Sequence, residues 1–351
     1  MKAVVFTLGC KVNSCESSSL INGLIKLGYD VCENLEYADV YIINTCAVTA
    51  EAEKKSRQAI ARAKKFNENA RIFICGCASQ KNPEAFIVKG AQVVTGAKAK
   101  DKILDLLDNE GIFIEQSDEY YEKYLPSKSS KTREYVKIQD GCNRFCSYCV
   151  IPYARGRVRS RKAEDILAEI EGIVAAGYRE IVLTGIHISS YGIDFEEEAW
   201  KQGKCVEKYR GQKEALSTSG EAGKAVATEA VGTERKPLDY SGSSKLIDLI
   251  ERIHQIQGLD RIRIGSLEPR IVTEEGARRL AALPKLCPHF HLSLQSGCDR
   301  TLKEMNRKYD TEKYRQAAAT LRKYLPEVAL TTDIIAGFPG ETEEDFQASY
   351  D

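Results

Sequence analysis

Short apolar runs, rich in β-branched side chains, recur through the first 110 residues as KAVVFTLG, DVYIINT, RIFICG and AQVVTG. Between them lie segments of helical period. One runs from Glu51 to Phe66, acidic at its start and closing on Lys64 and Lys65, the order that the helix dipole prefers. Strand alternating with helix predicts an α/β fold, with a doubly wound parallel sheet domain over residues 1–110. A second series begins at REYVKIQ and continues through EIVLTGI, RIRIGSL, HFHLSLQ and ALTTDIIAGF, with amphipathic segments from Ala163 to Ala176 and from Lys245 to Gln257. Repeated βα units of this kind predict a partial, TIM-like βα barrel over residues 134–351, whose functional groups stand at the carboxyl ends of the strands. Residues 111–133 hold few aliphatics and read as a polar linker. Residues 195–244, rich in Gly, Ser, Thr, Ala and charge, read as a disordered insertion that buries too little apolar area to offset its ordering. The only tryptophan, Trp200, falls within it and reads as incidental.

Charge narrows this picture little. The 51 basic and 51 acidic residues cancel, so attraction to nucleic acid has to come from local clustering. MKAVVFTLGC enters a strand-like run at once, with no leader pattern, and no apolar stretch reaches membrane-spanning length. A cytoplasmic protein with no membrane association is expected. Twelve cysteines in a reducing compartment point to metal ligation or catalysis rather than to disulfides. Cys32, Cys205, Cys287 and Cys298 have no clustered neighbours and read as small buried or incidental residues.

The remaining cysteines group in two ways. Cys142, Cys146 and Cys149, in GCNRFCSYCVIPYARGR, follow the first strand of the second series on one short loop. Structural zinc asks for four closed ligands, usually as two pairs, and this loop offers a triplet. A 4Fe-4S cluster held by three thiolates leaves one iron open to a ligand from outside the protein. In the first domain three strands run straight into Cys10, Cys46 and Cys77. Parallel strands bring their carboxyl ends to one edge, so these three residues, far apart in sequence, are expected to converge there. Cys75, also in CGC, is the other candidate for the third position; alternation places it on the same face as Cys77, but inside the strand.

The C-x3-C-x2-C triplet at the mouth of a βα barrel resembles the radical S-adenosylmethionine superfamily. There the amino and carboxylate groups of S-adenosylmethionine chelate the open iron, and one electron releases a 5'-deoxyadenosyl radical. The resemblance implies that Thr184 and Gly185 in LTGIH, Glu268 in GSLEPR, Gln295 in LSLQSG, and Gly337 and Pro339 in GFPGET contact the cofactor. His289, His291, Ser293 and Gln295 alternate with Phe290, Leu292 and Leu294, which sets a polar face toward the lumen. A zinc site and ordinary hydrogen-bonded histidines are the other readings of that face.

With TLGCKVN, INTCAVT and GCASQ in the first domain and GCNRFCSYCVIPYARGRVRSR in the second, the whole chain resembles the methylthiotransferases. Two 4Fe-4S clusters and S-adenosylmethionine are then the implied cofactors, the auxiliary cluster on Cys10, Cys46 and Cys77 supplying sulfur. LGCKVNSCE, IPYARGRVRSR and MNRKYD look most like the group that acts on N6-threonylcarbamoyladenosine of tRNA. The family's other acceptors, isopentenyladenosine in tRNA and a ribosomal-protein aspartate, are alternatives, as is a cluster-binding scaffold without catalysis. Implied partners are tRNA, an electron donor such as flavodoxin or ferredoxin, and a sulfur source. Arg155, Arg157, Arg159, Arg161 and Lys162 fall together without an intervening acid and are expected to meet RNA phosphates, the other readings being a solvated loop or a site for the cofactor carboxylate. Family members continue past GFPGETEEDFQASYD through a sixth barrel strand and a small RNA-binding domain, so a C-terminally truncated barrel is expected.

Overall fold

A computed structural model describes residues 1–115, 132–195 and 244–350. Strands β1 (Lys2–Thr7), β2 (Asp30–Cys32), β3 (Val40–Thr45), β4 (Arg71–Gly76), β5 (Val93–Thr95) and β6 (Gly111–Phe113) form a sheet of order β2-β1-β3-β4-β5-β6, parallel at every pairing. Helices α1 (Lys11–Lys26) and α2 (Ala50–Phe66) cover its two faces. Thr49 caps α2 by accepting from the Ala52 amide at 3.1 Å, and the acid-first, base-last order of that helix suits its dipole. The strand order reverses between β1 and β3, and ligands of doubly wound sheets bind beyond the strands' carboxyl ends at such a switch point.

Strands β7 (Glu134–Asp140), β9 (Glu180–Gly185) and β10 (Arg261–Ile264) are parallel neighbours in a second sheet. Single bridges at Ile262–Leu286 and Leu267–Leu292 carry the series on to β11 (His289–His291), which pairs in parallel with β12 (Ala329–Thr331). Helix α6 (Ala163–Ala175) and the helices Ser244–His254, Glu274–Ala281 and Thr311–Tyr324 fill the crossovers, and their apolar sides close on Ile138, Leu183, Ile262, Phe290 and Leu292. Phe290 and Leu292 point into this core while His289 and His291 lie on the opposite side, both within hydrogen-bonding reach of the Thr331 hydroxyl. No helix among the described residues is long and apolar enough to cross a membrane.

Two departures from the expected pattern concern short edge strands. Asp30–Cys32 pairs with β1 although only three residues are involved. Gly111–Phe113, assigned above to the linker, instead extends the first sheet beyond β5, so the domain runs past residue 110. The rest of the expected linker, residues 116–131, lies outside the described residues, as do residues 196–243 with Trp200 and Cys205. A third departure is antiparallel: β8 (Arg159–Ser160) folds the basic stretch back against β7, setting Arg159 opposite Asp140.

The first three barrel strands are pinned at their amino ends by one carboxylate. Glu180 on β9 receives Arg261 and Arg263 from β10, each at 2.7 Å, and Arg133, just before β7, at 3.3 Å. Burial alone would raise the Glu180 carboxyl; the three guanidinium hydrogen bonds outweigh it and hold the group down at about 2. A depressed carboxylate stabilises the fold above its unfolded pKa and loses that contribution on acidification. Wild type is therefore expected to exceed Glu180→Gln in thermal stability at neutral pH, with the gap closing between about pH 4.3, the ordinary glutamate value, and about pH 2; melting curves of both proteins across that range check it.

Candidate functional site

Three cysteines stand at the carboxyl ends of three adjacent strands. Cys10 follows β1 as the residue preceding α1, Cys46 follows β3, and Cys77, after β4, opens the short helix α3 (Cys77–Lys81). Local backbone makes this convergence possible. Gly9 has φ 104°, and a Cβ there would lie 2.8 Å from Cys46 Sγ. Gly76 has φ 112°, and a Cβ would lie 2.3 Å from the Thr45 carbonyl oxygen, so both turns demand glycine. Asn13 ties the loops together, donating to the Leu8 carbonyl at 2.7 Å and the Thr45 carbonyl at 3.0 Å. Ser56 holds Cys46 from α2, accepting its amide at 3.2 Å. Burial pushes the Cys46 thiol up, and negative charge on neighbouring Cys77 and Cys10 pushes it further.

Gly76 also separates the two thiols of CGC. Cys75 is wholly buried with Val5, Leu20, Phe73 and Ile103 under one face of the sheet, whereas Cys77 sits with Ala47, Ala78 and Ala154 on the other. The expectation that the pair share a face fails because the positive-φ glycine breaks the strand alternation before Cys77.

The second triplet lies at the end of β7. Gly141, at φ 68°, would bring a Cβ to 1.8 Å from the Arg157 carbonyl oxygen, so the turn into Cys142 also needs glycine. The loop is fastened from the segment after helix Asp299–Glu304: Ser147 donates its amide to the Met305 carbonyl at 3.1 Å and its hydroxyl to the Glu304 carbonyl at 2.9 Å. Asn306, itself left-handed at φ 58°, donates to the Phe145 carbonyl at 2.9 Å. Arg307 donates to Cys146 Sγ at 3.3 Å. Burial drives the Cys142 thiol to about 11, and charge on Cys146 and Cys149 adds to the rise. Cys149 is pushed up by burial as well, and thiols that resist ionisation become stable thiolates when a multiply charged metal group accepts them.

Each set consists of soft sulfur donors, the ligands that iron–sulfur clusters take. Among the described residues no three His, Cys, Asp or Glu side chains close round a point as the ligands of one ion do. A cube of four irons has its thiolates at separate corners, so it asks for three thiols round one crevice, the arrangement on offer at both strand ends.

Beside the second triplet Glu268 is buried past the end of β10, between the guanidinium groups of Arg144 at 2.6 Å and Arg270 at 3.3 Å and the imidazole of His187 at 3.2 Å. Its amide donates to Ser189 Oγ at 2.9 Å. Burial would raise this carboxyl, but His187, Arg144 and Arg270 together hold it far below the usual carboxylate range. Thr184 is buried at the end of β9, and Gly185 leaves no room for a Cβ, which would meet the Gln139 carbonyl oxygen at 2.9 Å. Gln295, at φ 74°, accepts from the Tyr148 hydroxyl at 3.3 Å. Gly337 and Pro339 lie on an exposed turn whose Phe338 meets Tyr148 edge-on at 6.4 Å. The six expected cofactor residues thus line strand ends on one side of the sheet series. Arg144, His187, Asn306 and Arg307 escaped the sequence reading; among the quoted motifs, LTGIH and MNRKYD contained three of them without marking which side chains turn inward.

The basic stretch needs correction. Arg155 is completely buried, and Arg159 and Arg161 are nearly so. Arg159 meets Asp140 at 3.2 Å, and Arg161 meets Glu169 at 2.5 Å and the Lys137 carbonyl at 2.9 Å. Paired inside the protein, these three side chains have no access to phosphates. Arg157 and Lys162 remain exposed. Arg157 lies over the Phe145 ring at 5.0 Å, and Phe145 meets Tyr153 edge-on at 5.8 Å. Tyr153 is 76% exposed, so aromatic surface and positive charge adjoin the cysteine loop.

Comparison with known proteins follows this division of the chain. The model of the radical SAM superfamily matches residues 136–351, and that of the uncharacterized protein family UPF0004 matches residues 2–96. A threonylcarbamoyladenosine tRNA methylthiotransferase, MtaB, of Bacillus subtilis is 36% identical over all of this chain and 70% of its own length. A tRNA-2-methylthio-N(6)-dimethylallyladenosine synthase of Clostridium perfringens is 35% identical over 97% of this chain and 70% of its own. Among solved structures, the radical S-adenosylmethionine methyltransferase TsrM of Kitasatospora setae superposes with a TM-score of 0.61 over 99% of this chain and 70% of its own, at 14% identity, a likeness of fold.

Alanine at Gly76 or Gly141 is expected to destabilise the protein by more than the ~1–3 kcal/mol of left-handed strain alone, because each new Cβ meets backbone. Gly28→Ala, with φ 85° and nothing within 4 Å, reports the strain by itself. Equal urea midpoints for the three variants would contradict this account of the two turns.

Proposed function

The chain belongs to the methylthiotransferase family of radical S-adenosylmethionine enzymes, and from that premise we propose that it methylthiolates N6-threonylcarbamoyladenosine beside the anticodon of tRNA. The product is 2-methylthio-N6-threonylcarbamoyladenosine. One observation carries the reading: the two cysteine sets are joined by a single short helix. Val150 follows Cys149 and leads into α5 (Ile151–Arg155), whose last residue donates to Cys77 Sγ at 3.3 Å. That helix is only about 8 Å long at the helical rise, so it keeps the two sets in one region of the molecule.

When bound, S-adenosylmethionine and two 4Fe-4S clusters, one on Cys142, Cys146 and Cys149 and one on Cys10, Cys46 and Cys77, supply the radical, the methyl group and the sulfur. The chain's own groups bind and orient. Glu268 stays ionised among Arg144, His187 and Arg270 and offers its carboxylate to the cofactor's cationic end. Thr184, Gly185, Gln295, Gly337 and Pro339 complete the cradle at neighbouring strand ends. Phe145 and Tyr153 provide ring faces for unstacked bases, and Arg157 and Lys162 the charge for phosphates. A flavodoxin or ferredoxin as electron donor and a separate sulfur source complete the set of partners. The threonylcarbamoyl acceptor rests on the LGCKVNSCE, IPYARGRVRSR and MNRKYD stretches and on relatives of that name; the dimethylallyl acceptor is the competing choice.

Mass spectrometry decides between them. The anaerobically reconstituted protein, given dithionite, S-adenosylmethionine and sulfide, is expected to methylthiolate tRNA carrying N6-threonylcarbamoyladenosine and to leave tRNA carrying isopentenyladenosine unchanged. The reverse preference would overturn the assignment. About eight irons per chain are expected. Alanine at Cys142, Cys146 and Cys149 removes half of them together with S-adenosylmethionine cleavage; alanine at Cys10, Cys46 and Cys77 removes half and spares cleavage. Tyr153→Ala and Arg157→Ala are expected to weaken tRNA binding by about 1–3 kcal/mol for the lost stacking and to flatten its salt dependence for the lost charge, respectively; filter binding across a salt series measures both.

A further inference from the structure

Arg155 terminates α5 with no exposed surface and directs all five of its N–H groups at named acceptors. Nη1 reaches Glu16 at 2.8 Å and Asp140 at 3.1 and 3.2 Å, and Nη2 reaches Asn13 at 2.7 Å and Glu16 at 3.2 Å. Nε is left for Cys77 Sγ, at 3.3 Å. The two carboxylates are themselves held. Lys100 meets Glu16, and Lys137 meets Glu16 at 2.7 Å and Asp140 at 2.6 Å. The five members come from three elements: Asn13 and Glu16 from α1, Lys100 from the 3-10 turn after β5, and Lys137 and Asp140 from β7. A guanidinium clamped from both domains has no freedom to leave the sulfur.

We infer that Arg155 is a positioning residue for the auxiliary cluster: its Nε–H, fixed by Glu16, Asp140 and Asn13, donates to the Cys77 thiolate and sets that cluster's reduction potential. The inference rests on the auxiliary-cluster reading above. A hydrogen bond to a ligating sulfur withdraws electron density from it and raises the potential. Cys77 is 3% exposed, so water does not replace or screen the bond. Arg307 makes the equivalent contact to Cys146 at 3.3 Å but is only half-buried, and it is held by the hydroxyls of Tyr309, at 2.9 Å, and Tyr148 rather than by a cage of buried carboxylates. The sulfur-supplying side therefore has the more rigid donor of the two.

The test uses the full chain with Cys142, Cys146 and Cys149 changed to alanine, so that the cluster on Cys10, Cys46 and Cys77 is observed alone. After anaerobic reconstitution, iron is counted and the potential read by EPR-monitored titration. Arg155→Lys keeps the buried charge but replaces the planar fork with one ammonium, which cannot serve carboxylates and sulfur together. Its potential is expected to fall at unchanged iron content. Arg159→Lys alters the same ion network at Asp140 and is expected to leave the potential in place. Equal potentials for Arg155→Lys and its parent, at equal iron, would reduce Arg155 to a brace between domains and overturn the inference. If Arg155→Lys does not fold, Asn13→Ala removes the shorter of the two Nη2 contacts with the guanidinium retained; a smaller fall supports the proposal and none overturns it. Absence of iron from the parent itself would overturn the auxiliary-cluster reading and this inference with it.

Discussion

One guanidinium sits where the two parallel sheets meet, and much of the molecule is arranged to satisfy it. Glu16 and Asp140 lie in an environment that would keep an isolated carboxyl protonated, yet Arg155, Lys100 and Lys137 hold Glu16, and Arg155, Lys137 and Arg159 hold Asp140, well below the ordinary range. Such a network is a poor way to gain stability. Apolar residues of the same volume do about as well, while removing a single partner costs ~3–5 kcal/mol. That asymmetry makes the network a device for register: α1, β7 and α5 have to occupy one mutual position or leave a buried charge uncompensated. The two cysteine sets inherit their separation from that position.

The same constraint accounts for the character of α1. A helix on the face of a doubly wound sheet normally shows one apolar stripe and one wet side. Here Asn13, Cys15, Glu16, Ser17, Ser18, Leu20 and Asn22 are all buried, because α1 packs against β7 and β9 of the second sheet as well as β1 and β3 of its own. Cys15 reaches the Tyr135 carbonyl at 3.3 Å, and Asn44 accepts from Lys100 at 2.9 Å, so polar groups inside the interface find partners from both domains.

What the sequence disclosed follows from this division. Strands β1, β3, β4, β5, β7, β9, β10 and β11 declared themselves through apolar runs, and α2 and α6 through their period, because each buries an apolar face; β12, largely exposed, showed through its apolar run alone. The cysteines at strand ends were legible as well, since βα topology assigns those positions to one edge whatever the intervening chain. Strands β2 and β6 escaped because three residues carry no periodicity, and edge pairing needs little burial on one side. The arginines misled for a related reason. A run of RGRVRSR reads as surface until its carboxylates are known, and those are Asp140 and Glu169 on separate elements together with Glu16, more than a hundred residues upstream. Arg307 and His187 were hidden in the same way: only the folded chain tells which polar side chain turns toward the cysteine loop.

The two-sided burial of α1 bears on how the chain matures. As the polypeptide leaves the ribosome, the first sheet has all its strands by Phe113, but the outward flank of α1 still holds Asn13 and Glu16 facing water. That flank is covered only when β7 and α5 have been made, about forty residues later by their positions. The N-terminal domain therefore emerges as an unfinished layer waiting for its lid, and the crevice that gathers Cys10, Cys46 and Cys77 acquires its final wall from the second domain.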